Sequence, residues 1–372
     1  VNDMLTSFRG YELAQPGEKI YTFKGILENR DTTIALTKSA VPYYAGQHLL
    51  ANPYTASINI SDMVFGANTE ATVYIYHSGS YADWNEDQEN GRLGTGRGQY
   101  LAVPQNAASL ILPAIPSMQG FIVRATANQG SVSIPYVSAT RNTTRQRAKK
   151  ISPVNPYLAV ELSGQRALDR VWLLYESTAS KQFDNGWDGF KMFSKEGSAM
   201  IYANEPAGDL QVNTVNDFND IYLHFVPGKD DNYTLKIVNS NMNEVYPDLY
   251  LIDMQEGKVV DIQPDTTFYS FSVTESGVSP NRFKITTSSD TNLSGDDLIK
   301  IYSVDDRRVI IHNLTENNGI YALYDVAGRI LKTGSLKAGA YSSFNVQDNG
   351  GVMILKANAG AVHKTEKILI RK

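Results

Sequence analysis

Apolar and polar residues alternate in short runs along most of the chain, and turn residues separate the runs. Residues 71–76 and 120–125 alternate cleanly, and a period of two places every second side chain on one face of a β-strand. Residues 19–27 and 32–36 predict a hairpin around Asn29-Arg30-Asp31. No long stretch follows the period of an amphipathic helix. The pattern predicts an all-β protein.

The alternation continues in the second part of the chain. Further strands are predicted at residues 158–162, 170–175, 233–238, 268–273 and 282–285. Strands that recur about every ten residues, with turns between them, are typical of β-sandwiches and jelly rolls.

Two polar stretches divide the chain. Residues 141–150 are cationic and lack an apolar period, and residues 288–297 are rich in Ser, Thr, Asn and Asp, so both are predicted to be linkers. The predicted organisation is tandem: a β-sandwich-like domain at 1–150, a second, jelly-roll-like β-sandwich at 151–295, and a small C-terminal Ig-like β-sandwich at 296–372. No repeat of about 20 to 50 residues is present, which argues against a solenoid or a propeller.

The composition narrows the class of protein. The formal net charge is −5 and the isoelectric point is near 5.6, whereas nucleic acid binding requires a concentrated basic surface. The chain has no cysteine, which excludes disulfides, thiol catalysis and cysteine-ligated zinc. No apolar run approaches the roughly 20 residues of a membrane span. Because the chain begins at Val1 rather than Met, we expect that a signal peptide has been removed.

Motifs for nucleophilic or metal catalysis are missing from the sequence. There is no Gly-x-Ser-x-Gly elbow. The Gly-rich stretch at 91–98 has the spacing of neither phosphate-binding fingerprint and is predicted to be a hairpin loop. Five histidines are scattered, never paired as His-x-x-x-His, and each is predicted to be an ordinary surface or core residue: His48, His77, His224, His312 and His363. The sequence therefore predicts a non-catalytic protein without a cofactor.

One segment offers oxygen ligands for a cation. Asp184 and Asp188 flank Asn185-Gly186-Trp187, and oxygen-bearing side chains at alternating positions loosely resemble a calcium loop. The closing Glu of a calcium loop is out of register. Because Asn-Gly is a strong hairpin dipeptide, a tight type I′ turn is the favoured interpretation, with Asp184 and Asp188 as candidate calcium ligands.

Three aromatic residues are candidate sugar platforms: Tyr81, Trp84 and Trp187. Tyr81 and Trp84 accompany a cluster of carboxylates between residues 83 and 89. Glycoside hydrolysis requires two carboxylates roughly 5 to 10 Å apart across a cleft, and neighbours on one polar loop cannot hold that geometry. A solvated loop is therefore favoured for this cluster, and packing on the edge of the core is favoured for Trp187.

The C-terminal part carries a family resemblance. Residues 319–331 combine a strand, an Asp-x-x-Gly-Arg turn from Asp325 to Arg329 and a returning strand, and residues 364–372 form a basic last strand. This hairpin resembles the C-terminal sorting domain of Bacteroidetes proteins exported by the type IX secretion route. Further segments resemble recurrent stretches of Bacteroidetes surface proteins, at residues 46–58, 118–125, 183–192 and 250–261. The resemblance implies a secreted or cell-surface, adhesin-like protein that is exported across the outer membrane.

Two functions of the chain itself stay open, beside the possibility that it is only the tail of a longer enzyme, which it carries to the surface. The first is a non-catalytic adhesin or structural surface module that binds a glycan or a host or matrix protein, with self-association through exposed strand edges. The alternative is a carbohydrate-binding or ancillary part of an extracellular hydrolase, with the three aromatic residues as sugar platforms and a metal at Asp184 or Asp188. The lack of catalytic motifs favours the first.

Overall fold

The chain is built almost entirely from β-strands. The computed structural model describes residues 4–13, 20–40, 44–78, 96, 98–137, 155–193, 198–273, 279–289, 298–304, 308–346 and 351–370. Within these residues the helices are single short turns, and none has the length and apolar content that a membrane crossing requires. The prediction of an all-β fold is confirmed.

The N-terminal region forms small antiparallel sheets. Its elements are β1 (Thr32–Leu36), β2 (Gln47–Ala51), β3 (Ile58–Asn59), β4 (Val64–Phe65), β5 (Thr72–His77), β6 (Gln99–Pro104), α1 (Ala108–Ile111), β7 (Ala114–Ile115), β8 (Gly120–Arg124) and β9 (Gly130–Ile134). The strands pair in the orders β2-β8-β5-β6, β1-β9-β4 and β3-β7. Alternating side chains such as Phe121 and Val123 of β8 point inward and join one core with Tyr54 and Ile60.

The central region forms one long sheet. Its strands are β10 (Tyr157–Ser163), β11 (Leu168–Tyr175), β12 (Gly189–Phe190), β13 (Met200–Glu205), β14 (Gly208–Val215), β15 (Ile221–Val226), β16 (Asn232–Ser240), β17 (Tyr250–Asp253), β18 (Lys258–Asp261), β19 (Thr266–Ser272) and β20 (Ser279–Thr286). In the described residues the order is β18-β17-β20-β15-β13-β14-β11-β10-β16-β19, and β12 pairs with β14. Strands β11 and β14 are parallel.

The long sheet folds over on itself around a single core. Strand β19 stands at one end of the strand order, yet the ring of Phe271 lies 5.2 Å from the rings of Phe225 on β15 and Phe283 on β20. The two halves of the sheet therefore face each other, as in a β-sandwich.

A buried ion pair lies inside this core. The side chains of Arg282 and Asp253 are 1% and 0% exposed, and Arg282 Nη2 is 3.1 Å from Asp253 Oδ2. The hydroxyl of Tyr269 donates to the same oxygen at 2.9 Å, and backbone N–H groups of Gln255 and Glu256 donate to Asp253 Oδ1. The guanidinium carbon of Arg282 lies 4.2 Å from the centroid of the Phe271 ring. Both carboxylate oxygens thus have partners, which buried charges require.

The C-terminal region is a small two-sheet sandwich. Its strands are β21 (Ile299–Val304), β22 (Arg308–Asn313), β23 (Gly319–Asp325), β24 (Ile330–Leu336), β25 (Ala340–Asn345), β26 (Gly351–Ala359) and β27 (Val362–Ile370). They form the sheets β21-β22-β25 and β24-β23-β26-β27. The rings of Tyr321 on β23 and Phe344 on β25 stack at 4.8 Å, and this contact joins the two sheets within one core.

The predicted turn between β23 and β24 is confirmed. Asp325 Oδ1 accepts hydrogen bonds from the N–H groups of Ala327 and Arg329 at 3.0 and 2.8 Å, and Gly328 adopts a φ of +82°, which glycine tolerates without strain. The hydrogen bonds from Arg329 hold the pKa of Asp325 below its usual value.

One predicted strand does not form. Residues 20–27 carry no strand, and Ile20 and Ile26 are 93% and 102% exposed. The other half of the predicted hairpin, β1, pairs instead with β9. Among the described strands β1 pairs on one edge only, so this pairing alone does not exclude residues 20–27. Lys24 and Gly25 interrupt the apolar positions of this segment, and glycine weakens a strand interior. The predicted linker at 141–150, most of the linker at 288–297 and most of the Gly-rich stretch at 91–98 lie outside the described residues.

Candidate functional site

The structure brings together part of the predicted site. Asp184, Trp187 and Asp188 lie in one loop between β11 and β12, with Trp187 half-buried and Asp188 buried. Tyr81 and Trp84 lie outside the described residues, as does the acidic stretch around them. The loop at 184–188 is therefore the part of the prediction that has a described geometry.

The carboxylates of this loop accept hydrogen bonds from nearby N–H groups. Asp184 Oδ2 accepts from the N–H of Ser180 at 2.7 Å. Asp188 accepts from the N–H of Asp184 at 2.8 Å through Oδ2 and from the N–H of Thr214 at 2.7 Å through Oδ1. Burial raises the pKa of Asp188 to about 8, and the two N–H donors oppose that rise. The loop is thus tied both to itself and to strand β14.

The Asn185-Gly186 dipeptide forms a turn, as predicted, but of a different type. The N–H of Trp187 donates to the carbonyl of Asp184 at 2.9 Å. Gly186 has a φ of +88°, whereas Asn185 is not among the residues with positive φ. A type I′ turn needs positive φ at both central residues, while positive φ at the second alone is the pattern of a type II turn.

A bound cation needs more ligands than the two carboxylates of this loop. Calcium takes six to eight oxygen ligands. Among the described residues no three His, Asp or Glu side chains are grouped so that they could hold a metal ion. Calcium binding by Asp184 and Asp188 stays a prediction.

The loop at 184–188 docks onto the N-terminal region. Asn185 Oδ1 accepts from the N–H of Ala71 at 2.7 Å, and Asn185 Nδ2 donates to the carbonyl of Thr69 at 3.1 Å. The hydroxyl of Thr72 donates to the carbonyl of Asp188 at 2.8 Å. At Gly189 an added Cβ would lie 2.8 Å from the Cβ of Ala102, so glycine allows the close approach of the two regions.

A buried polar cluster strengthens the same contact. Glu70 is 1% exposed, pairs with Arg124 at 3.0 Å and accepts a hydrogen bond from the hydroxyl of Tyr74. That hydroxyl also accepts from the N–H of Phe190 at 3.1 Å, and Arg124 lies over the Phe190 ring at 5.0 Å. Burial raises the pKa of Glu70, and the Arg124 charge opposes the rise. The cluster links strands β5 and β8 to strand β12.

An apolar core completes this junction between the N-terminal region and the central sheet, which we call the body junction. Its buried members come from both sides: Tyr74, Ala102 and Ala107 from the first, and Ala159, Trp172, Leu174 and Val212 from the second. The N–H of Ala102 also donates to Gln211 Oε1 at 2.7 Å. The two regions therefore share a packed interior across the body junction.

A sequence signal for the body junction exists in strand β11. Residues 171–174 read Val-Trp-Leu-Leu, and all four are buried. A continuous apolar run marks a strand that is covered on both faces, whereas an exposed sheet face would alternate. The run shows that a second layer is needed, although it does not identify β5 and β6 as that layer.

A groove lies on the outer face of the central sheet. Its volume is about 450 Å³, and it is lined by Ser163, Gly164, Gln165, Asn232, Tyr233, Thr234, Ser270, Phe271 and Ser272. The hydroxyl oxygens of Thr234 and Ser270 are 2.9 Å apart, and the hydroxyl of Ser272 donates to Asn232 Oδ1 at 2.8 Å. Its described lining offers hydroxyl and amide groups and includes no carboxylate or imidazole for acid–base catalysis.

Comparison with known proteins identifies two likenesses. The profile of the protein family described as Domain of unknown function (DUF8693) matches residues 5–286, which include the N-terminal region, the body junction and the central sheet. The minor fimbrium subunit Mfa5 of Porphyromonas gingivalis is 28% identical over 387 aligned positions, which cover 98% of this chain and 31% of that protein. The chain thus spans about a third of the length of this relative. No solved structure matches the chain.

Proposed function

The chain belongs to the family described as Domain of unknown function (DUF8693), and from this membership and its likeness to a fimbrial protein we propose that it is a non-catalytic subunit of a surface fimbria. The observation that supports the proposal is the likeness to a minor fimbrium subunit over 98% of the chain. The likeness therefore extends beyond the family match into the C-terminal sandwich.

The architecture supports a structural role. The body junction combines a shared apolar core, the Glu70–Arg124 pair and hydrogen bonds through Asn185. Interfaces with packing of this kind resist relative movement of their two sides, as a subunit under tension in a fibre requires. The groove on the central sheet offers polar contacts through the hydroxyl and amide side chains of its described lining.

We also propose a domain organisation and a cellular location for the chain. The proposed domains are 1–150, 151–295 and 296–372, and the last is a sorting or anchoring module for export across the outer membrane by the type IX route. The mature protein is proposed to act at the cell surface or outside the cell. The Asp325-to-Arg329 turn and the basic last strand support this assignment.

Two kinds of partner fit this proposal. Strands β24 and β27 are the end strands of their sheet, and end strands present unpaired N–H and C=O groups to a further strand, which allows self-association. The groove on the central sheet suits a neutral glycan, because its lining is made of hydroxyl and amide side chains. A glycan ligand would also fit the alternative function, a carbohydrate-binding part of an extracellular hydrolase.

Fractionation of surface filaments tests the fimbrial role. Filaments sheared from cells that produce the chain are separated on a density gradient and probed with an antiserum against residues 155–273. We expect the chain to sediment with the filaments and to stay with them in high salt, because packed subunit interfaces are not dissolved by screening. Recovery of the chain in the filament-free supernatant alone would contradict the proposal.

A glycan array tests the adhesive role of the groove. The double variant Thr234→Ala/Ser270→Ala removes two groove hydroxyls and is expected to weaken glycan binding about tenfold, since each lost hydrogen bond is worth roughly 0.5–1.5 kcal/mol. The matched control Thr33→Ala/Ser133→Ala removes a similar hydroxyl pair, 2.7 Å apart, from the N-terminal region and should bind as the unchanged chain does. Equal weakening in both variants, or no glycan bound at all, would rule the groove out.

A further inference from the structure

His312 is buried between the C-terminal sandwich and the central sheet. Val309 and Ile311 of β22 point into the core of the sandwich, so Ile310 and His312 point to the opposite face, and they are buried there as well. The ring of His312 stacks on Tyr341 at 3.7 Å and meets the ring of Tyr222 on β15 edge-on at 5.4 Å. We call this contact the C-terminal junction.

Among the residues that the structure describes, the imidazole of His312 has no hydrogen-bonding partner. Its side chain is 0% exposed, and neither ring nitrogen makes a hydrogen bond. Buried polar groups are nearly always hydrogen-bonded, so each exception requires an explanation. An imidazole held between two aromatic rings is tolerated when it is neutral, because a cation there would lose its hydration without compensation.

A second histidine crosses the same junction. His224 on β15 accepts a hydrogen bond at Nδ1 from the N–H of Asn281 at 3.1 Å, which leaves the proton on Nε2 in the neutral ring. His224 also hydrogen-bonds the backbone of Gly339 in the turn before β25. The ring of Tyr202 on β13 lies 5.4 Å away. The neutral form of His224 therefore bridges the central sheet and the sandwich.

The surroundings of both rings are poor in available negative charge. Lys300 of β21 lies 5.7 Å from the centroid of the Tyr222 ring, and it shares Asp220 with Lys284. Lys181 adds a further positive charge that acts on His312. Asp209, whose charge acts on Tyr202, is hydrogen-bonded by Asn204. A proton added to either ring would thus meet cations and aromatic rings rather than an unpaired carboxylate among these neighbours.

Burial is the main cause that keeps both imidazoles neutral. It lowers the pKa of His224 to about 4, and the hydrogen bond to Gly339 opposes this. It also lowers the pKa of His312 well below the usual value, and the charges of His224, Lys300 and Lys181 act in the same direction. Direct contacts complete the junction, such as the hydroxyl of Tyr341 donating to the carbonyl of Asn204 at 3.2 Å.

We propose that His224 and His312 form an acid-sensitive latch that holds the C-terminal sandwich against the central sheet at neutral pH and releases it in acid. Released histidines regain a pKa near 6.5, so the released state binds more protons than the docked state below that pH. The docking is therefore fully stable above about pH 6.5 and weakens as the pH falls from there toward the lowered pKa values. Each histidine weakens docking by up to about tenfold per pH unit in this window.

Distance measurements between spin labels test the latch in the full chain. The protein has no native cysteine, so Phe268→Cys on β19 and Thr333→Cys on β24 place labels at two exposed positions, one on each side of the junction. We expect one narrow distance at pH 7.5 and a broad distribution at pH 4.5, while the circular dichroism of the strands is retained. A narrow distance at both pH values would overturn the proposal, and so would loss of the strand signal at the same pH as the broadening.

Histidine variants assign the effect to the latch. In the double variant His224→Gln/His312→Phe, Phe keeps the stacked ring and Gln keeps hydrogen-bonding groups, so we expect the narrow distance to persist at pH 4.5. The matched control His363→Phe changes an exposed histidine of β27 and should broaden as the labelled parent does. If the double variant broadens at the same pH as the control, the histidines are not the latch. Should the double variant not fold, His312→Phe alone is expected to move the transition to lower pH, and an unmoved transition would count against the proposal.

Discussion

Replacing Arg282 with methionine is expected to lower the free energy of unfolding by about 3–5 kcal/mol, because the substitution leaves the carboxylate of Asp253 charged in the core without its cation. The aromatic rings around the guanidinium would lose a cation contact as well. Urea unfolding followed by circular dichroism gives the change, and urea avoids the charge screening of guanidinium salts.

Two further variants separate the effect of the unpaired Asp253 charge from the effect of the shorter side chain at position 282. Arg282→Met/Asp253→Asn removes both charges and is expected to recover part of the loss, since an amide is less costly to bury than an unpaired carboxylate. Arg329→Met removes the arginine of an exposed pair, whose side chain is 79% exposed, and should change stability by less than about 1 kcal/mol. Equal effects of Arg282→Met and Arg329→Met would show that the buried pair does not stabilise the core.

Replacing Trp172 with alanine is expected to lower the free energy of unfolding by about 3–5 kcal/mol and to split the unfolding transition, because truncating a buried tryptophan leaves a cavity. Trp172 packs in the core that both sides of the body junction share, and its ring lies 5.6 Å from that of Tyr157. With the shared core weakened, the N-terminal region and the central sheet should unfold at different urea concentrations. Urea titration of residues 1–372, read by circular dichroism and by limited proteolysis, measures both effects.

The matched control removes an exposed ring from the same sheet. Phe268 is 65% exposed on β19, so Phe268→Ala should change stability by no more than about 0.5 kcal/mol and keep the unfolding transition as it is. A single transition in Trp172→Ala with a loss as small as that of the control would show that the body junction does not couple the two regions.

Local pattern predicted strands well where the sheet partner was available. Residues 71–76, 120–125 and 233–238 alternate, and β5, β8 and β16 form there. Residues 20–27 are also predicted to form a strand, yet none forms there, although β1 pairs with β9 on one edge only among the described strands. Alternation reports which face of a strand can be buried, whereas pairing depends on distant residues.

The contacts of the candidate sites also depend on residues that are distant in the sequence. The turn at Asn185-Gly186 could be predicted from local residues, but its docking on Ala71 joins positions separated by 114 residues. His224 and His312 are far apart in the sequence, and both lie at the C-terminal junction because Tyr222 of β15 contacts His312 of β22. The residue type at a single position does not show which distant residue it will contact. A buried apolar run such as residues 171–174 indicates that a partner layer exists without identifying it.

Immunogold electron microscopy of intact cells tests the fimbrial role most directly. Cells that produce the chain and an in-frame deletion strain are labelled with the same antiserum. We expect gold on surface filaments of the producing cells and none on the deletion strain. Gold confined to the cell interior, or to a cell surface whose filaments stay unlabelled, would contradict it.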